Sequence, residues 1–164
     1  EATIPVTDIM EFPSDWPAKS FERGDQAIRH TAHILLEAVR KRGNANDFIG
    51  HIGGDDFVIV TTPDLAESIC KEVVAQFDGT IPSLYDEQDR AQGHIVHTDR
   101  QGNPIRVGFL TISIAIVTNT RYPLHHFGEV AQIGAELKAY AKRFDHSLYV
   151  TERRNSGVIP MNRT

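Results

Sequence analysis

Two short apolar runs, Phe48-Ile49-Gly50-His51-Ile52 and Phe57-Val58-Ile59-Val60, enclose the tetrad Gly53-Gly54-Asp55-Asp56. Glycine followed by acidic turn formers between two strand patterns is a strong hairpin signal. A hairpin commits the middle of the chain to an antiparallel sheet, and the flanking segments must then extend and cover it. Upstream, residues 3–9 alternate loosely and form a first strand. Gly24-Asp25 opens a helix carrying Ile28, Ala32, Leu35 and Val39 on one face at a 3.6-residue period, and it ends near Arg42-Gly43. Downstream, Thr62-Pro63 supplies an N-cap and a proline at the first helical position. Leu65, Ile69, Val73 and Phe77 form the stripe of a second helix, closed by Asp78-Gly79.

Residues 81–108 form an irregular excursion whose turn at 99–102 caps a small extra hairpin. A clean strand follows, with Leu110, Ile112, Ile114 and Ile116 on one side and Thr111, Ser113 and Ala115 on the other. A third helix carries Phe127, Val130, Ile133, Leu137, Ala141 and Phe144. Residues 147–151 make a last strand, and a loose tail lies beyond Arg153. The order β-α-β-β-α-β, then helix and strand, predicts an α+β domain of ferredoxin-like kind. Its central, mostly antiparallel sheet is covered by helices, which the split βαβ pattern places on one face. Polymerase palms and nucleotidyl cyclases share this architecture, as do many proteins without catalysis.

The 164 residues, 40% of them hydrophobic, fit a single domain over residues 1–153 with a tail at 154–164. The opening Glu1 in place of Met points to a piece of a longer multidomain protein. A net charge of -5 argues against a nucleic-acid partner. No stretch has the length of a membrane span, so no membrane contact is expected of this piece. One cysteine, Cys70, excludes an intrachain disulfide and suits a cytoplasmic setting. Its apolar neighbours mark it as a buried small hydrophobe.

If the first strand pairs beside the hairpin, Asp8 converges with Asp55 or Asp56. Converging carboxylates hold Mg²⁺ together with phosphate oxygens, and the glycines let a phosphate or base approach the backbone. A plain turn is the competing reading of the same four residues.

The string His51-Ile52-Gly53-Gly54-Asp55-Asp56-Phe57-Val58 resembles the signature hairpin of GGDEF domains, in an Asp-Asp spelling. Three further stations follow the family in order. They are Asp8-Ile9-Met10-Glu11-Phe12, the segment Phe21-Glu22-Arg23-Gly24-Asp25-Gln26-Ala27-Ile28, and the late helix ending in Lys142. The resemblance implies a module of bacterial cyclic di-GMP signalling, in which active members condense two GTP molecules across a homodimer. By the same resemblance, Asp8, the Ile9 carbonyl and Asp55 would bind Mg²⁺, with Asp56 assisting. Gly53, Gly54 and Phe12 would border the nucleotide, Asp25 would accept from the guanine edge, and Lys142 would neutralise phosphate. Asp25 also reads as a helix N-cap, Lys142 as a charge suited to a helix C-terminus, and Phe12 as ordinary core.

Departures from the family concentrate where the nucleotide would be gripped. Met10 stands for a second strand aspartate, Pro13 for a phosphate-facing lysine, Trp16 for a guanine-reading asparagine, and His146 for an arginine. Losing one preorganised charge stabiliser costs about 10²–10³ in rate, whereas an indole stacking on a base returns about 1–3 kcal/mol of binding. The inhibitory Arg-x-x-Asp is reduced to Asn44-Ala45-Asn46-Asp47, without the bidentate guanidinium. These losses predict a degenerate regulatory domain, weakly active or inactive, that binds GTP or another guanine nucleotide beside an attached sensor or output domain. The alternatives are a working diguanylate cyclase and a dimerisation module without ligand.

Overall fold

The computed structural model describes residues 3–9, 20–98, 101–120, 123–152 and 159–160, with backbone alone for 3–9, 20–23, 97 and 159–160. The strands are β1 (Thr3–Ile9), β2 (Phe48–Gly53), β3 (Asp56–Val60), β4 (Ile95–Thr98), β5 (Pro104–Val107), β6 (Ile112–Thr118), β7 (Leu148–Thr151) and β8 (Ile159–Pro160). The helices are α1 (Ser20–Arg42), α2 (Pro63–Thr80), α3 (Glu87–Gln92) and α4 (Phe127–Ala141).

Six strands make the central sheet in the order β2-β3-β1-β6-β7-β8, and β4-β5 form a separate ribbon. Every neighbouring pair in the large sheet is antiparallel except β6 and β7. The βαββαβ core and the extra hairpin are therefore as the sequence predicts. α1 and α2 pack on one face against Phe57, Ile59, Ile112, Ile114 and Ile116. α4 covers the other face over Ala115, Val117, Leu148 and Val150. Helices on a single face, as the split βαβ pattern had it, is thus corrected. β6 is buried on both sides, so its second face also requires a cover.

Cys70 is buried as expected, and burial pushes its thiol pKa far up. Four expectations are revised. α1 starts at Ser20, a turn or more before Gly24-Asp25. α2 runs through Gly79 to Thr80 and continues into a 3-10 turn over Ile81–Leu84, and the Thr62 side chain makes no cap bond. Phe127 is 76% exposed, because it occupies the first helical position, ahead of the stripe that Val130 begins. In the tail, Ile159–Pro160 pair with β7, where the open edge of that strand offers backbone groups to any extended segment.

A buried serine fastens three elements together. Ser147, 2% exposed, accepts from the Ile112 amide and donates to the Asp78 carboxylate at the end of α2.

Candidate functional site

Strand register decides which predicted residues meet. Asp8 lies opposite Asp56 in the β1–β3 pair and opposite Ser113 in the β1–β6 pair, and Ser113 in turn lies opposite Leu148. One row across the sheet therefore runs Asp56, Asp8, Ser113, Leu148. This row sits at the end of the sheet where β1 finishes and β3, β6 and β7 begin. The convergence of Asp8 with the hairpin tip is present at the level of the backbone. The side chains of Asp8 and Ile9 lie outside the described residues, as do all of Met10, Phe12, Pro13 and Trp16.

The tip is shaped by its glycines. Gly53 and Gly54 have φ of 150° and 56°, and a Cβ on either would meet nothing within 4 Å. Glycine is required there by backbone conformation, not by a neighbour, and the exposed backbone remains approachable. His51 braces the turn from one side. Its ring stacks on Phe57 with centroids 4.5 Å apart, and its Nε2 lies 2.8 Å from the Gly54 carbonyl oxygen. Asp55 and Asp56 are both half-buried.

The contact that sequence reasoning missed is made by Lys138. From the last turn of α4 its Nζ donates to Asp56 Oδ1 at 2.9 Å, with the lysine side chain 15% exposed and the aspartate 40%. The two are 82 residues apart, so no local pattern announces the pair. The available signal was a lysine adjoining buried Leu137 and one helical turn before Lys142. Lys142 itself is the C-cap of α4, and its amide donates to the Lys138 carbonyl at 2.9 Å. This places the two lysines on one side of the helix end. His146 is exposed in the loop that leads to β7, with its ring edge against Phe144 and its Nδ1 3.3 Å from Asp145.

Asp25 is exposed within the second turn of α1. The earlier helix start removes its N-cap reading, since a residue inside the helix cannot cap it. Asn44 and Asp47 lie at the opposite end of β2 from the tip. There the Asp47 carboxylate accepts from the Asn44 amide at 2.8 Å, and the Asn44 side chain accepts from the Asn46 amide at 2.8 Å. A cleft of about 480 Å³ borders this loop and Val60, Thr61 and Thr62.

The Mg²⁺ site implied by the resemblance was tested against the described residues. No three His, Cys, Asp or Glu side chains gather among them as a ligand set. Asp56 Oδ1 at the tip faces the Lys138 ammonium. Of the residues the resemblance assigns to that ion, Asp55 and Asp56 have described side chains, and Asp56 is engaged by Lys138.

No protein-family model matches the chain, and no curated protein matches it significantly. Solved structures do. The GGDEF domain of DgcB from Caulobacter crescentus, in complex with c-di-GMP, matches at TM-score 0.58 and 17% identity, over 92% of this chain and 77% of that one. The active GGEEF domain of a diguanylate cyclase from Vibrio cholerae matches at TM-score 0.56 and 17% identity, over 94% and 84%. The monomeric guanylyl cyclase domain of the RhoGC fusion protein from Blastocladiella emersonii matches at 0.52 and 14%, over 92% and 80%. The chain thus resembles GGDEF domains in structure and has their fold, which a guanylyl cyclase domain shares. No described helix is long and apolar enough to cross a membrane.

Proposed function

We propose that this chain is a degenerate GGDEF-type regulatory domain of cyclic di-GMP signalling, which binds a guanine nucleotide at the hairpin end of its sheet and turns it over weakly or not at all. The observation that carries this reading is the register row. Asp8 and Asp56 share it, and the Gly53-Gly54 turn stands beside it. Asp55, Asp25 and Lys142 are assigned supporting roles there, with Phe12 and Trp16 as the base-facing side of the loop and His146 as a weak phosphate contact.

The case against turnover is chemical. Phosphoryl transfer relies on positioning and on charge stabilisation of the developing transition state. Pro13 and His146 stand where a lysine and an arginine would supply that charge, and proline offers no side-chain donor. Binding tolerates these losses better than catalysis does, because stacking and backbone contacts survive them. Calorimetry with GTP is expected to show binding that Asp25→Ala weakens, while incubation with GTP and Mg²⁺ yields no sustained cyclic di-GMP. Sustained production that Asp55→Ala abolishes would establish the working cyclase instead. An absence of any heat with GTP would leave a dimerisation module.

A further inference from the structure

We infer that Lys138 is a resident cation of the acidic hairpin end, tethered where a divalent ion would otherwise sit, so that this site discriminates against free metal ions. The inference deepens the nucleotide-binding reading and rests on it only for the identity of the ligand. Its basis is the ion pair between Lys138 Nζ and Asp56 Oδ1 at 2.9 Å, with the lysine the more enclosed partner.

Three features make this more than a surface ion pair. First, the lysine comes from the helix that covers the sheet, and its side chain is only 15% exposed. A long side chain that buries its methylenes and presents its charge at a fixed place loses little freedom by pairing. Second, the register places the Asp8 backbone directly beside Asp56, and Asp55 precedes it in the turn. Three acidic residues are therefore concentrated at one sheet end, and the pair lowers the net charge that would draw in a cation. Third, Mg²⁺ demands near-octahedral oxygen ligands and gives up water reluctantly. An ammonium already seated on the carboxylate imposes neither requirement.

The ammonium carries three N–H donors, one of which is given to Asp56. Lys142 stands one turn further along α4, so two lysines lie at this end of the helix. Nucleotide binding at this site is then carried by lysine charge and depends little on Mg²⁺.

The test uses Mn²⁺ alone, with no nucleotide, followed by electron paramagnetic resonance on the intact chain. The unmodified protein is expected to bind Mn²⁺ only weakly. Lys138→Met, which preserves length and packing, should tighten binding by roughly 10–100-fold, the range over which groups behind a metal site tune affinity. Adding Asp56→Asn to that variant should remove the gain. Lys138→Gln serves where the methionine variant does not fold, with the same expectation. Tight Mn²⁺ binding by the unmodified protein, or equal affinities across the series, overturns the proposal. Because no nucleotide is present, a failure to bind GTP would count against the regulatory reading and leave this result intact.

Discussion

The β2–β3 ribbon has two ends built on opposite plans. At its tip, Asp56 is held by a lysine from α4, 82 residues away, and the row beside it draws residues from β1, β6 and β7. At its base, the loop 44–47 satisfies itself, with Asp47 and Asn44 bonding the amides of their own turn. The tip is defined by what distant elements bring to it. The base is defined by its own few residues. A site that couples distant elements retains its geometry while the fold survives, even after individual donors are lost. The loop at the base holds its shape with bonds from Asp47 and Asn44 to its own amides.

The sharpest challenge to this contrast is Gly43→Ala at the base. The added Cβ would collide with Asp47 Oδ2 and lie 2.7 Å from the Val39 carbonyl oxygen. The carboxylate can swing away but the carbonyl belongs to the helix, so a loss of about 3 kcal/mol in chemical denaturation is expected. At the tip, Asp56→Ala removes a carboxylate partner from a largely enclosed ammonium and should cost about 2 kcal/mol. Asp47→Ala removes a capping acceptor and should cost about 1 kcal/mol. If the ends are independent, Asp47→Ala and Asp56→Ala add within about 0.5 kcal/mol, and a larger coupling breaks the contrast. Stoichiometric cyclic di-GMP binding lost in Asp47→Ala would break it differently, by showing that the base still works as a site.

The smallest effect concerns the helices that bridge the ends. Glu72 accepts from Lys41, Gln76 and Arg42, and these hydrogen bonds, Lys41 first, hold its pKa down to about 2. A depressed carboxylate contributes stability that is fully present above its ordinary value of 4.5 and lost as pH falls toward 2. The lysine and arginine are about half exposed, so the contribution is about 1 kcal/mol or less. Denaturation of the unmodified chain and of Glu72→Gln should differ at pH 6 and converge near pH 2.

The strands and their order were legible because each carries its own signal. Alternation marks β6, and the Gly-Gly-Asp-Asp turn marks β2 and β3. The acidic tip was legible for the same reason. What escaped depended on distance or on context. Gly24-Asp25 looks like a helix opening because both residues favour turns, yet Gly24 is buried within α1, and tertiary packing overrides the local preference. The pairing of Ile159–Pro160 uses backbone groups that every sequence possesses. Lys138 reads as a solvated charge until α4 is laid across β1 and its ammonium reaches β3.

Ser147 carries a mechanical implication. Its hydroxyl gives its proton to Asp78 and takes the Ile112 amide, so it has no idle rotamer. Ile112 adjoins Ser113, the residue across from Asp8. The joint thus ties the end of α2 to β6 one residue from the acidic row. A substitution at either hydroxyl partner would therefore loosen α2 from β6 beside Ser113, the residue facing Asp8.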